Sequence, residues 1–293
     1  MAGAPTPLAY RPPYDWPAML AFLAARAIEG VEAVQGGVYR RSFRDGRASG
    51  LLEVSHDPQA GALLVRGHGA DLSGAVLARV RRVFDLDADV AAIGEHLSRD
   101  PALAPLIAAR PGLRAPGGFD GFELAVRAVL GQQVSVQAAR RLAGRLAAIC
   151  GPSLRSEHPG PARVFPSAEE VAAADLQDLP MPGARKAALK AIAEAAMADP
   201  RLFERGSSLE ETIARLTAVR GVGLWTAHYI ALRAVREPDA FPSSDVGLLR
   251  GLAGAGGQRS TPAELERRAE AWRPWRAYAA QHLWAADAAT WKG

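Results

Sequence analysis

Apolar and polar positions alternate in two different ways along this chain, and the change comes near residue 119. The first 95 residues mix the two periods. A helical spacing runs from Trp16 to Val34, followed by strand-like runs at Gly37–Phe43, Leu51–His56 and Ala62–Gly67 with Asp-Gly and Gly-rich turns between them. A second helix is predicted over Leu72–Phe84, and the Pro/Gly-rich stretch Pro111–Gly118 reads as a linker. Beyond Phe119 the spacing is helical almost throughout. Phe122–Leu130 and Val136–Ile149 are two helices parted at Gly131–Ser135, with Ser135 as an N-cap. An irregular stretch, Gly151–Ser167, leads to helices at Ala168–Leu176 and Arg185–Met197. Ser208 and Glu211 have the spacing of a capping box for a helix reaching about Val219. Leu224–Val235, Val246–Leu252, Pro262–Ala271 and Pro274–Ala285 complete the helices. The pattern predicts an α+β, mostly α protein.

Composition narrows the function by exclusion. With 293 residues, 49% hydrophobic and 23% charged, the chain can bury two or three cores. The apolar run Pro17–Ala25 is too short to span a bilayer, and it follows Asp15 rather than a basic leader, so a cytoplasmic protein is expected. Cys150 is the sole cysteine, which excludes an internal disulfide and a four-cysteine iron–sulfur site. The six histidines show no H-x-x-x-H spacing, so a zinc hydrolase has no support. A net charge of +4 leans only weakly toward a polyanionic partner. Lysine occurs only at Lys186, Lys190 and Lys292, which limits any chemistry that needs an amine nucleophile.

Two segments carry candidate chemistry. Leu216–Ala227 has the form L-x-x-x-x-G-V-G-x-x-T-A between two helices. Gly221 and Gly223 allow a tight turn, and they let a phosphate approach amides at the start of the next helix, so the segment can grip a nucleic-acid backbone without reading bases. The plainer reading is a glycine turn between packed helices. The other segment, Ser243-Ser-Asp245, lies 22 residues beyond Gly223 and opens a helix. Asp245 there is by default an N-cap, a role compatible with catalysis because a helix N-terminus favours negative charge.

These segments, together with Pro12-Pro-Tyr-Asp-Trp16, Leu23-Ala-Ala-Arg26, Phe84-Asp-Leu86, Arg110-Pro-Gly-Leu-Arg114, Ala128-Val-Leu-Gly-Gln132, Trp272-Arg-Pro-Trp-Arg-Ala-Tyr278 and His282-Leu-Trp284, occur in one order over nearly the whole chain. The sequence resembles the helix-hairpin-helix DNA glycosylases, and most closely their bacterial 3-methyladenine DNA glycosylase II (AlkA-type) family. The resemblance implies an N-terminal antiparallel α+β (TBP-like) domain at residues 1–95. It also implies a helical domain with the hairpin at 119–238, a second helical domain from 96–118 plus 239–293, and a cleft between the helical domains. The implied activity is monofunctional excision of alkylated purines from double-stranded DNA by base flipping, by a cytoplasmic monomer with no required cofactor.

The same resemblance assigns Asp245 as the catalytic carboxylate. Phe22, Trp225, Tyr229 and Trp284 become the base pocket, and Gln132, Gln133, Arg220, Gly221, Val222, Gly223 and Thr226 the DNA contacts. The backbone carbonyls of Thr217, Val219 and Val222 would hold a structural Na+ or K+. Trp272 and Trp275 are expected in the core, and no second carboxylate is evident beside Asp245. Two departures stand out, Arg220 where proline is common and Gln133 where leucine is common; Trp225 stands where many bifunctional relatives carry lysine. The rival readings are a glycosylase of the same fold for oxidised or mismatched bases, and a non-catalytic DNA-binding protein in which Asp245 only caps.

Overall fold

The computed structural model describes residues 4–155, 158–253, 257 and 260–290. Five antiparallel strands, β1 (Thr6–Ala9), β2 (Glu32–Gln35), β3 (Val38–Asp45), β4 (Ala48–Asp57) and β5 (Ala62–His68), form one sheet in the order β1-β5-β4-β3-β2. The pairing Val54↔Val65 and Tyr39↔Val54 puts Tyr39, Phe43, Leu52, Val54, Leu63 and Val65 on one face. Helices α1 (Trp16–Arg26) and α2 (Gly74–Phe84) cover that face, burying Trp16, Met19, Val76, Val80 and Phe84 against it.

The helix expected from Trp16 to Val34 stops at Arg26. Ala27 leaves helical geometry and Gly30 takes a φ of +81°, so the chain reverses and Glu32–Gln35 pairs with β3 instead. Ile28 and Val31, whose spacing imitated a helix, are buried in the helical core. The stretch 111–118 is irregular but is no loose linker. Leu113, Arg114, Ala115 and Pro116 are buried, and the Arg114 guanidinium donates to the carbonyls of Asp85 (2.8 Å), Ala88 (2.8 Å) and Pro13 (3.1 Å). A buried guanidinium whose two terminal nitrogens are held by carbonyls makes this strap a structural tie.

Helices α3 (Val90–Leu97) and α4 (Ala104–Ala109) precede the strap. After it come α5 (Gly121–Leu130), α6 (Val136–Cys150), α7 (Ala168–Ala173), α8 (Gly183–Ala198), α9 (Leu209–Thr217) and α10 (Leu224–Ile230), the last prolonged by a π-helical turn, Ala231–Val235. The chain closes with α11 (Val246–Ala253), α12 (Pro262–Ala269), a 3₁₀ turn at Glu270–Trp272 and α13 (Arg276–Thr290). Ser135 caps α6 by accepting from the Ala138 amide at 3.2 Å. Ser208 caps α9, but the Glu211 carboxylate turns to the Ser207 amide (2.8 Å), so the reciprocal box is not made there. Trp272 is buried with its indole N–H on Asp100 (2.8 Å), and Trp275 packs partly buried on the same core.

Helix α5 is buried on most of its surface and joins the sheet domain to the helices through an ionic cluster. Arg41 of β3 and Arg127 both reach Glu123 at 2.7 Å, Arg127 also pairs with Glu32, and the Tyr39 hydroxyl donates to Glu32 at 2.6 Å. Burial would raise the Glu123 carboxyl, but Arg41 and Arg127 outweigh it and hold it at about 2. With every charge partnered, the cluster ties β2 and β3 to α5 and forms part of the cleft lining. Among the described residues no helix is long and apolar enough to cross a membrane.

Candidate active site

A cleft of about 1340 Å³ opens where the sheet domain and the helices meet, and it reaches from Phe22 on α1 past Gln133 and Gly223 to Asp245. The hairpin forms one end. Helix α9 ends at Thr217, and Gly221 turns the chain at a φ of +87°. A Cβ on Gly221 would lie 2.4 Å from the Ala188 Cβ on α8, so glycine is required there both by backbone and by packing. Gly223 differs. It precedes α10 in extended geometry, is exposed, and a Cβ there would meet nothing within 4 Å. Its surroundings leave room for a ligand. Arg220 is exposed beside it, whereas Val222 and Thr226 are buried.

The two glutamines expected at the DNA part company. Gln132 donates its amide to the Gly221 carbonyl (3.0 Å) and the Thr226 hydroxyl (3.1 Å), bracing the hairpin against the end of α5. Gln133 is exposed and holds a left-handed φ of +57°, a conformation costing a non-glycine residue roughly 1–2 kcal/mol. Thr217 and Val219 lie where α9 ends and helix carbonyls lose their helical partners. The Val219 carbonyl accepts from the Val222 amide at 3.0 Å and keeps a second lone pair. Uncharged carbonyl donors of this kind fit a monovalent cation.

Asp245 forms the opposite end. Its Oδ1 accepts from the amides of Gly247 (2.8 Å) and Leu248 (3.1 Å), so it caps α11 as well as facing the cleft. Two indoles complete its shell. Trp284 Nε1 donates to Oδ1 at 2.9 Å and Trp225 Nε1 to Oδ2 at 2.8 Å. All four partners are N–H donors directed at the two carboxylate oxygens. The tryptophans expected to stack on a base thus also fix the carboxylate. Trp225 stacks on Tyr229 (5.3 Å between centroids, 13° between planes), and Trp284 meets Tyr229 edge-on at 6.2 Å. Phe22 completes the wall from α1, so the four expected aromatics share one space.

Three groups at this site escaped the sequence reading. Arg233 is buried, donates to the Pro116 carbonyl (2.8 Å) and the Gln281 side-chain carbonyl (2.9 Å), and lies over Phe22, Trp284 and Tyr229 at 4.7, 5.0 and 5.7 Å. Arg26 sits 4.0 Å over Phe22. Burial would raise the Tyr229 phenol, but Arg233 and Arg26 outweigh it and take it below its ordinary value. Asp287 supplies the second carboxylate that the sequence did not reveal. It lines the cleft but is bound by both nitrogens of Arg250 at 2.7 Å. The signal for all three was helical spacing: Arg26 is four residues past Phe22, Arg233 four past Tyr229, and Asp287 three past Trp284.

Comparison with known proteins fits this geometry. Residues 6–120 match the AlkA N-terminal domain, and residues 126–277 match the HhH-GPD superfamily base excision DNA repair protein family. A probable bifunctional transcriptional activator/DNA repair enzyme AlkA of Mycobacterium tuberculosis is 41% identical over 94% of this chain, which spans 56% of that protein. DNA-3-methyladenine glycosylase 2 of Escherichia coli is 38% identical, with 94% of this chain and 95% of that one covered. In fold, a 3-methyladenine DNA glycosylase from Archaeoglobus fulgidus superposes with a TM-score of 0.85 at 20% identity, covering 97% and 98% of the two chains. The chain therefore belongs to the AlkA-type branch of the HhH-GPD superfamily of base excision DNA repair proteins.

Proposed function

We propose that the protein is a monofunctional DNA glycosylase that hydrolyses the N-glycosidic bond of alkylated purines in duplex DNA after flipping the base into the aromatic cleft. The observation that carries this reading is the Asp245 carboxylate, held by four N–H donors beside Trp225, Tyr229 and Trp284. Breaking the bond builds oxocarbenium charge on the sugar, and a preoriented carboxylate stabilises that charge without reorganising. The same group can take the proton of the water that adds at C1′. Alkylation at N3 or N7 makes the leaving base cationic, so the site needs no strong general acid. The second carboxylate in the cleft, Asp287, has both its oxygens engaged by Arg250. The hairpin would grip a phosphate at Gly223 and hold a monovalent cation with the carbonyls of Thr217, Val219 and Val222, stiffening the turn.

A lyase step would need an amine to form a Schiff base at C1′. Lys186 donates to the Gln177 carbonyl (2.7 Å) and Lys190 to that of Ala172 (2.7 Å), and neither lines the cleft; Lys292 lies outside the described residues. This supports hydrolysis alone. The test is release of bases from duplexes carrying 7-methylguanine, an oxidised purine or a mismatch, with borohydride trapping alongside. Release from the methylated duplex with no trapped adduct is expected. Release confined to oxidised or mismatched DNA, or from none, would overturn the reading.

A further inference from the structure

The base pocket contains fixed positive charge of its own. Arg233 is buried on the faces of three pocket aromatics, and its partners are a backbone carbonyl, a neutral amide and the Tyr229 hydroxyl, none of them a carboxylate. Its Nε is buried without a hydrogen-bond partner among the described residues. Arg26 adds a second guanidinium on Phe22. Neither arginine makes an ion pair with a carboxylate among the described residues. A single side chain joins this charge to the reaction centre: Trp284 carries Arg233 on its ring face and donates its edge N–H to Asp245.

We propose that Arg233, seconded by Arg26, sets an electrostatic gradient across the pocket, positive at the base end and negative at Asp245, that drives electron flow into the departing base. The inference rests on the glycosylase reading above. When C1′–N9 breaks, its electron pair stays on N9. A cationic N-alkylpurine then leaves neutral, the positive charge passes to C1′–O4′, and water adds at C1′ with loss of a proton. Positive charge behind the base opposes the bound cationic ground state and is relieved as that charge moves toward Asp245. For a neutral purine there is nothing to repel on binding, but negative charge growing on the leaving base is stabilised. Arg233 thus raises turnover for both classes, at the cost of weaker ground-state binding for the cationic class alone.

This gives a signature that a merely structural arginine would not produce. Arg233→Gln should lower kcat on 7-methylguanine DNA by roughly tenfold and lower KM with it, leaving kcat/KM nearly unchanged. On a neutral 6-oxopurine, hypoxanthine, the same variant should lower kcat with KM unchanged, so kcat/KM falls. Arg233→Lys keeps the charge and should behave closer to the native protein on both. If Arg233→Gln does not fold, Arg26→Gln, at a half-buried site, should show the same split with smaller amplitude. An unchanged or raised KM on 7-methylguanine in the charge-neutral variants, or equal losses of kcat/KM on the two bases, would overturn the proposal. Absence of release by the native protein would instead count against the glycosylase reading.

Discussion

At the hairpin end of the cleft, what is offered to a ligand is chiefly backbone and open space beside the exposed Arg220: Gly223 is open on its Cβ side and the side chains of Val222 and Thr226 turn inward. At the Asp245 end nearly everything is side chain, with two indole N–H groups, two arginines on aromatic faces and an Arg250–Asp287 pair around one carboxylate. Backbone presented at a turn suits a repeating polyanion whose sequence does not matter. A crowded shell of oriented donors suits a reaction in which charge appears at one point. The two ends should therefore fail differently when altered, the first in affinity and the second in turnover.

The largest effect belongs to the carboxylate. Asp245→Asn keeps an oxygen to cap α11 but removes the counter-charge, so folding and DNA binding should persist while base release falls by about a thousandfold or more. Excision near the native rate by a folded variant would erase the distinction between the two ends. Next come the indole donors. Trp284→Phe and Trp225→Phe keep a ring in the pocket and remove one N–H each from Asp245. A charged hydrogen bond is worth roughly 1.5–3 kcal/mol, so turnover should drop by about ten- to a hundredfold. A change confined to KM, with kcat intact, would return both tryptophans to stacking alone.

At the other end, Gly223→Asp introduces bulk and negative charge into open space without touching the protein's own packing. Affinity should weaken by more than about tenfold for all sequences alike, with turnover recovered at saturating enzyme. The contrast with Gly221 is a useful control. Any side chain there meets Ala188 and a positive φ, so Gly221→Ala should cost stability first.

How far this division was legible in the sequence follows from its physics. The hairpin depends on local chain geometry, so the whole G-V-G-x-x-T-A pattern between two helical periods marked it, where two glycines alone would have read as an ordinary turn. Local geometry alone marked Asp245 as a helix cap, and its catalytic assignment came from the family resemblance. The charged surroundings were not legible, because Arg26 on α1, Arg233 after α10 and Asp287 on α13 meet only through the packing of distant segments. In a chain so rich in arginine, one residue four positions past a pocket aromatic carries little local mark. The same limit explains β2: Ile28, Val31 and Val34 have helical spacing, and only pairing with β3 decides otherwise.

Gln133 belongs to neither end, and its variant gives the smallest expected effect. It sits exposed between α5 and α6 at the rim of the cleft, in left-handed geometry that glycine adopts freely. Flipping a base leaves a gap in the stack that costs a few kcal/mol unless a side chain fills it. A glutamine has the volume to fill much of that gap and an amide to bond the orphaned base. Gln133→Gly should therefore act in opposite directions on the two properties. Thermal stability should hold or rise by about 1 kcal/mol, because the strained φ is relieved. Excision from paired DNA should fall by several-fold, up to about tenfold, while excision opposite an abasic gap, where little stacking needs replacing, should fall much less. Equal losses on the two substrates would assign the filling of the gap to another side chain, and a loss of stability would mean that the left-handed turn is held by contacts of the glutamine itself.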